Sequence, residues 1–153
     1  MSDATLWTWF SMFIRLLYAE AFSGIVKCFT CGRPYIWNSG SIHAGHFIST
    51  GSSLATKYNE KNVHPQCVRC NMHLHGNLYA YSMALRAKYG QNTPEELLIA
   101  SKQRANLGRF EIKTLTEYYK KEVKRLNLFR IIATVIASLK PAMQRWVVDG
   151  VLA

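Results

Sequence analysis

Acidic residues are scarce in this sequence: nine aspartates and glutamates stand against 19 lysines and arginines among 153 residues, which gives a formal charge of +10. Such a balance suits a polyanionic partner, nucleic acid first and an acidic membrane surface second. Internal repeats and low-complexity tracts are also missing, which excludes a repeat architecture and a disordered tail. With 49% apolar residues the chain can bury a core, and we predict a single domain of residues 1–153.

No basic residue precedes the first apolar run, residues 4–22, and Asp3 stands in front of it. A secretory signal begins with positive charge, so export is not expected although Ala19-Glu20-Ala21 resembles a cleavage site. A membrane span is not expected either, because Arg15 and Glu20 lie inside the run, where a central arginine costs roughly 2.5 kcal/mol or more. We therefore predict a cytoplasmic protein. A membrane-associated factor that uses its apolar helices is the alternative.

Helical spacing of apolar residues predicts a first helix from Ser2 or Asp3 to about Phe22, within an N-terminal segment of residues 1–24. Its apolar residues spread around most of the circumference, so the helix needs partners on more than one side. We therefore predict that it packs on the domain core and also forms a homodimer contact.

Residues 25–90 are predicted to form the core of the domain, and residues 91–153 a set of C-terminal helices. The predicted core elements are strands at Tyr35–Trp37 and Ile42–Ile48 joined by a turn at Asn38–Gly40, an extended segment at Val63–Gln66, and a helix from Cys67–Asn71 to Tyr89. The predicted C-terminal elements are a helix from the capping box at Thr93–Glu96 to about Asn106, a helix from about Phe110, and an apolar run from Leu128 to Leu139 ended by Pro141.

Cysteine and histidine are absent outside residues 28–77, a third of the chain. Two C-x2-C knuckles, Cys28/Cys31 and Cys67/Cys70, each offer two sulfurs from one tight turn, and together they supply what a tetrahedral thiolate site needs. Four cysteines in a secreted chain could form two disulfides, but paired knuckles with interleaved histidines favour metal in a reducing cytoplasm. We therefore predict a structural Zn²⁺ site.

Histidine and asparagine between and after the knuckles have the chemistry that phosphodiester hydrolysis requires: a base for water and ligands for a divalent cation. His46 is predicted as the general base, because a neutral imidazole accepts a proton near pH 7. Asn71 offers an amide oxygen to a hard cation, and Asn62 can tie the intervening loop to the strand and so orient His46. His43 reaches the same cleft only if a bulge or twist turns both histidines inward, since strict alternation puts residues three apart on opposite faces.

The order of these motifs resembles the ββα-metal (HNH) nuclease motif in its zinc-stapled form: a first C-x2-C, then H-x2-H at His43–His46, then N-x4-C-x2-C-N at Asn62–Asn71. More narrowly, Ala44–Phe47, the same Asn62–Asn71 stretch and Leu74–Asn77 are similar to the phage NinG/Rap recombination proteins. The layout is also similar to recombination endonuclease VII of T-even phages, a dimeric Holliday-junction resolvase. The resemblance covers residues 28–89.

This resemblance implies an α+β fold, mostly helical overall, in which a zinc-stapled ββα-metal (HNH/treble-clef-like) core carries flanking α-helices. It implies a DNA endonuclease that hydrolyses phosphodiesters in branched recombination intermediates such as Holliday junctions. His43 and Asn71 would hold a catalytic Mg²⁺ or Mn²⁺. HNH enzymes often have aspartate where His43 stands, and an imidazole there favours Mn²⁺, Co²⁺ or Ni²⁺ over Mg²⁺. His43 as a DNA contact or as a support for the ligands is the alternative.

Basic and imidazole side chains around this cleft are predicted to contact DNA phosphates, with a solvated surface as the alternative: Arg33, Lys57, Lys61, Arg69, His73 and His75. His64 is either a metal ligand or a strand-edge histidine bonded to backbone. Two rival functions fit the same pattern. One is an HNH nicking or packaging nuclease on ordinary duplex DNA, and the other is a zinc-dependent DNA-binding module without catalysis.

Overall fold

The computed structural model describes residues 1–105 and 107–150, and side chains as far as residue 139. In the described ranges the elements are α1 (Asp3–Leu17), β1 (Ile25–Lys27), β2 (Pro34–Ile36), β3 (Ile42–His46), β4 (Val63–Cys67), a π-helical turn (Arg69–His73), α2 (Leu78–Tyr89), α3 (Thr93–Ser101) and α4 (Arg109–Gly150). The strands form two small antiparallel sheets, β1 with β2 and β3 with β4. This mixture of helices and small sheets confirms the predicted class in its coarse form.

The pairing of the strands differs from the predicted hairpin. Strands near both predicted positions are present, but β2 pairs with β1, and β3 pairs with β4. The first cysteine knuckle explains the difference, because it makes the tight turn between β1 and β2. There the amide of Cys28 donates to the carbonyl of Arg33 at 2.8 Å, and the amide of Gly32 donates to the carbonyl of Cys28 at 2.8 Å. The chain therefore folds back on β1, and β3 takes the extended segment at residues 63–67 as its partner.

The β3–β4 hairpin lies between α1 on one face and α2 on the other. Ala44 and Val63 point toward α1 and belong to the largest core cluster, while His64, on the opposite face, meets Tyr81 of α2. The register is continuous from Ile42 opposite Cys67 to His46 opposite Val63. Side chains therefore alternate strictly between the two faces along β3.

Helix α1 packs against α4 through aromatic and aliphatic side chains. Phe10 meets Tyr119 edge to face with ring centroids 4.9 Å apart, and Leu6, Phe13 and Val123 are buried beside them. Each fully buried side chain of this size contributes about 1.5–3 kcal/mol. One side of the apolar surface of α1 is thus used inside the chain, as the predicted packing on the domain core requires.

The homodimer stays a prediction. Apolar side chains of α4 between residues 128 and 139 are largely exposed, among them Phe129, Ile132 and Ile136. The described residues contain no helix that combines the length and the apolar character needed to cross a bilayer.

Several predicted helix boundaries are wrong. The first helix ends at Leu17 instead of Phe22, because the following residues turn into β1: the amide of Glu20 donates to the carbonyl of Ile25 at 2.8 Å. Helix α3 ends at Ser101, and the predicted end at Asn106 lies outside the described residues. Helix α4 runs without interruption over Arg109–Gly150, so the predicted end at Pro141 is wrong.

The predicted helix from the second knuckle to Tyr89 is interrupted. A π-helical turn at Arg69–His73 is separated from α2 by four residues, of which the last three, His75, Gly76 and Asn77, have positive φ. The amide of Gly76 closes the turn by donating to the carbonyls of Cys70 and Asn71 at 3.0 and 3.1 Å. The break leaves Asn71 in a short turn of its own beside the hairpin.

Candidate functional site

The four cysteines form one cluster. Their sulfur atoms all lie within 4.8 Å of one another, with 3.9 Å between Cys31 and Cys67. Four sulfurs at 2.3 Å from one ion in a tetrahedron lie about 3.8 Å apart. The observed spacing therefore fits a thiolate site that can hold a metal ion such as zinc.

Hydrogen-bond donors surround these sulfurs. The amide of Cys67 donates to Sγ of Cys28 at 3.3 Å, and Nδ2 of Asn77 donates to Sγ of Cys70 at 3.7 Å. Burial raises the pKa of Cys28, but hydrogen bonds, led by that from Thr30, outweigh it and lower the pKa to about 6. Cys28 is thus prepared as a thiolate, the form that binds metal, whereas burial raises the pKa of Cys31 to about 12.

His46 ends β3 with its ring held on two sides. Its Nε2 lies 2.9 Å from the carbonyl oxygen of Lys57, and its ring stacks on Trp7 of α1 with centroids 5.1 Å apart and planes at 20°. A carbonyl only accepts, so Nε2 carries the proton and Nδ1 of the neutral ring keeps its lone pair. Burial lowers the pKa of His46, although its hydrogen bond to Lys57 opposes this. The ring is therefore neutral near pH 7, with Nδ1 as the proton acceptor.

Asn62 is fully buried and ties the loop to the end of β3. Its Oδ1 accepts from the amide of Ile48 at 2.8 Å, and its Nδ2 donates to the carbonyls of Ile48 and Thr56, each at 3.0 Å. Thr56 directly precedes Lys57, whose carbonyl bonds to His46. The arrangement has the geometry that the predicted positioning role of Asn62 requires.

His43 and Asn71 are brought together, since Nδ1 of His43 lies 3.2 Å from Nδ2 of Asn71. The bulge that would turn both histidines to one side is not formed, because the register of β3 with β4 is continuous. The side chain of His43 therefore projects from the face of the hairpin toward α2, and the side chain of His46 projects from the opposite face, toward α1. The condition under which both histidines would enter one cleft from one face is therefore not met.

A cavity of about 780 Å³ nevertheless connects His46 with Asn71. It lies where the end of β3, the loop after it, the π-helical turn and the start of α2 meet. Its other walls come mainly from residues 47–52 and from His75, Gly76, Leu78, Tyr79, Ser82, Leu98 and Ser101. His43 is not among the lining residues and contacts the cavity only through Asn71.

The predicted phosphate contacts are scattered. Among them only His75 lines the cavity, whereas Arg33, Lys61, Arg69 and His73 are exposed elsewhere on the surface. Nζ of Lys57 is 2.5 Å from the carboxylate of Asp3, which neutralises its charge locally. Lys57 contributes to the site through its main-chain carbonyl, which accepts the hydrogen bond from His46.

His64 fits neither alternative of the sequence interpretation. Its Nδ1 and Nε2 each lie 3.0 Å from a tyrosine hydroxyl, of Tyr81 and Tyr89, and its ring stacks on Phe29 with centroids 3.8 Å apart. Burial, with a smaller effect of Lys88, lowers the pKa of His64 to about 3. It is a neutral core histidine whose two nitrogens are both occupied.

The sequence interpretation missed three residues that shape this region. Trp7 stacks on His46, and the hydroxyl of Tyr81 donates to the carbonyl of Gly45 at 3.0 Å, beside His46. Gln66 is a fully buried amide on the α2 face. Only Gln66 had a signal, because it alternates with His64 in a strand that is otherwise apolar.

Similarity to known proteins identifies the family of this chain. It matches the sequence profile of the family described as Bacteriophage Lambda NinG protein over residues 9–128. The chain belongs to the NinG family. The matched region runs from α1 into the first half of α4, so it contains both the thiol cluster and the cavity.

Individual NinG relatives are similar over parts of the chain. Protein ninG of Escherichia phage lambda is 36% identical over 72 residues, which are 47% of this chain and 34% of the relative. Protein ninG of Salmonella phage P22 is 30% identical over 102 residues, or 67% of this chain and 48% of the relative. The chain thus spans between a third and a half of the length of these two relatives. No solved structure matches it.

Proposed function

We propose that this NinG-family chain is a metal-dependent DNA endonuclease with a zinc-stapled ββα-metal (HNH) core. One observation carries the proposal. His46, with Nε2 bonded to a main-chain carbonyl, and Asn71 line one open cavity where a hairpin meets a helix. An oriented base and an amide oxygen beside one space are the protein groups that phosphodiester hydrolysis by this class uses.

The chain order supports the core. Strands β3 and β4 are followed by the π-helical turn and α2, and the thiol cluster joins the β1–β2 turn to the end of β4 and the π-helical turn. In this proposal Zn²⁺ bound by the four cysteines fixes the hairpin against the turn that carries Asn71. Its role is structural, because all four positions of a tetrahedral ion are filled by sulfur.

His46 acts as the general base. Nδ1 takes a proton from a water molecule, whose oxygen forms a bond to phosphorus while the bond to the 3′ oxygen breaks; the 3′ oxygen leaves with a proton from solvent. The carbonyl of Lys57 holds the tautomer that makes Nδ1 the acceptor, and Asn62 holds the loop that carries this carbonyl. General-base catalysis of this kind contributes about 10²–10⁴-fold to the rate.

His43 and Asn71 are the residues that would hold a divalent cation. Nδ2 of Asn71 donates to Nδ1 of His43 at 3.2 Å, close to the roughly 3.0 Å that separates two ligands at 2.1 Å and at right angles on one ion. Rotation of the Asn71 amide turns its oxygen toward the same point. When bound, Mg²⁺ or Mn²⁺ supplies charge neutralisation for the phosphate and the departing oxygen. Since one ligand is an imidazole, we expect Mn²⁺ to be preferred over Mg²⁺.

DNA is the proposed substrate, with branched recombination intermediates such as Holliday junctions as the preferred form. The net charge of +10 and the exposed Arg33 and Arg69 near the first knuckle and the π-helical turn support a polyanion. The preference for branched DNA comes from the resemblance to phage recombination nucleases. A homodimer would match the two symmetric strands of a four-way junction.

The test compares a four-way junction with linear duplexes of the same sequence, incubated with zinc-loaded protein and Mg²⁺ or Mn²⁺. We expect metal-dependent nicks near the branch point and little cleavage of the duplexes. Equal cleavage of both substrates would favour a duplex nicking nuclease. Binding without cleavage in Mg²⁺, Mn²⁺ and Ni²⁺ would favour a DNA-binding module and contradict the proposal.

A further inference from the structure

The ring of His46 lies against an aromatic face that α1 supplies. The imidazole and the indole of Trp7 are nearly parallel, with planes at 20° and centroids 5.1 Å apart. The indole is itself held by neighbours, since its centroid lies 6.0 Å from the ring of Phe10 and 6.4 Å from that of Tyr58. His46 therefore stacks on a fixed aromatic ring and at the same time lines the cavity.

Helix α1 also fixes the loop that bonds to the edge of the imidazole. The hydroxyl of Tyr58 donates to Oδ1 of Asp3 at 2.8 Å, and Nζ of Lys57 donates to Oδ2 of the same carboxylate at 2.5 Å. The carbonyl of Lys57, 2.9 Å from Nε2 of His46, is thus carried by a segment that is tied to the start of α1. One helix therefore positions both partners of the imidazole ring.

Proton transfer changes the charge of this ring. When Nδ1 takes a proton, the neutral imidazole becomes an imidazolium, and the burial that lowers the pKa of His46 opposes this charge. Lys57 opposes it as well, although Asp3 pairs with that lysine, and His75 is a further ionisable group on the wall of the cavity. The negative face of an indole attracts a cation within about 6 Å. Together with the Lys57 carbonyl, the indole is thus placed to favour the charged form.

We propose that Trp7 is a positioning residue for the general base: its ring aligns the imidazole of His46 and stabilises the imidazolium that forms when Nδ1 takes a proton from water. The inference rests on the proposed role of His46 and deepens it. The aromatic face restores part of the basicity that burial removes, without adding a charge to the site. After the bond to the 3′ oxygen breaks, the imidazolium gives its proton to solvent and the neutral ring returns. Trp7 precedes residues 9–128, over which the chain matches its family.

The test places fluorinated tryptophans at position 7 of the full chain with zinc bound. These analogues keep the shape of the indole and weaken its negative face step by step. The pKa of His46 is measured without DNA by NMR titration of its imidazole, and metal analysis confirms that zinc is retained. We expect the pKa to fall with each added fluorine, by about 0.5 unit or more across the series.

The same analogues at Trp9 are the matched control. Trp9 lies two positions along α1 and about 200° round the helix, so the pKa of His46 should stay unchanged. A second pair of variants measures the consequence for the reaction. Trp7→Leu should lower the single-turnover rate of junction cleavage about tenfold, and Trp7→Phe, which keeps an aromatic face, should restore most of it.

The outcomes separate this inference from the proposed function. If the pKa of His46 stays constant or rises along the fluorinated series, or falls equally with the analogues at Trp9, the inference is overturned; cleavage that requires His46 would still support the proposed function. If the pKa falls as expected but the folded natural protein cleaves no DNA, the proposed function is wrong and Trp7 acts on the charge of His46 outside a nuclease. Should Trp7→Leu fail to fold, the fluorinated series decides alone, because its members keep the shape of tryptophan.

Discussion

Two groups of polar side chains share one short stretch of chain and differ in almost every property. Cys67 and Cys70 point into the thiol cluster, where four soft sulfurs close on one position. Gln66 and Asn71, each next to one of these cysteines, instead place their side-chain oxygens against Gly45, and Asn71 also lines the open cavity. A closed sulfur site suits a structural ion, and an open oxygen site suits an ion that must meet a substrate.

The difference teaches how one turn can serve both stability and chemistry. The sulfur cluster holds the end of β4 and the π-helical turn together. The neighbouring Asn71 therefore keeps its position whether or not a second ion is bound beside it. If this is right, changes on the sulfur side should act on folding, and changes on the oxygen side on rate and cation affinity.

The largest effect is expected for Cys70→Ser. Zinc contributes roughly 10–16 kcal/mol of apparent folding free energy in small four-ligand sites, which is comparable to the whole stability of a domain, about 5–15 kcal/mol. We expect the variant to lose zinc and its cooperative thermal transition, measured by metal analysis and circular dichroism. Asn71→Ser, one residue along, is the matched comparison and should keep both. Loss of folding in Asn71→Ser as well would remove the distinction between the clusters.

The next largest effect is expected in the free energy of unfolding at acid pH, and it comes from His64 on the α2 face of the hairpin. Its pKa is about 3 in the folded chain and about 6.5 when unfolded. The unfolded chain takes up a proton below pH 6.5 and the folded chain does not. This contribution to stability is therefore complete above pH 6.5 and falls by roughly 1.4 kcal/mol per pH unit as the pH drops toward 3.

Urea unfolding of the natural protein and of His64→Gln from pH 7 to pH 5 measures this slope. Acid release of zinc affects both proteins, so the difference between them isolates His64. We expect the variant to be less stable at pH 7 but to lose less stability on acidification. Parallel slopes would show that His64 is not held neutral.

A smaller effect is expected in the pH dependence of cleavage. Burial lowers the pKa of His46, so the neutral base is present at a lower pH than for an exposed histidine. In acidic solution the single-turnover rate should rise about tenfold per pH unit. It should level off below pH 6.5, which is the ordinary pKa of histidine. A rate that still rises steeply above pH 7 would assign the base to another group.

The smallest effect is expected for Tyr81→Phe. The hydroxyl of Tyr81 donates to the carbonyl of Gly45 and contacts His64, so its loss should cost about 1 kcal/mol of stability. Tyr118→Phe, at an exposed tyrosine of α4, is the control and should cost almost nothing. Chemical denaturation measures both, and equal losses would mean that the buried hydrogen bonds contribute nothing specific.

The sequence was informative where chemistry depends on local spacing. Two residues between cysteines place both sulfurs on one turn, so the thiol cluster could be predicted, as could the link from Asn62 to its loop. The face of His43 depends on the register of β3 with β4, which a single strand does not reveal. The stacking of Trp7 on His46 joins residues 39 positions apart, and the break at Gly76 is held by a hydrogen bond from Gln66 of β4. These features come from tertiary packing and could not be predicted from local patterns.

The most direct test of the account is the single-turnover cleavage of a four-way DNA junction by the natural protein and by His46→Ala, at neutral pH with Mn²⁺ present. Circular dichroism and zinc content confirm that both are folded, and Gln103→Ala serves as a surface control. The account predicts metal-dependent cleavage that falls by about 10²–10⁴-fold in His46→Ala alone. Cleavage by His46→Ala at the natural rate, or none by the folded natural protein with any divalent cation, would contradict it.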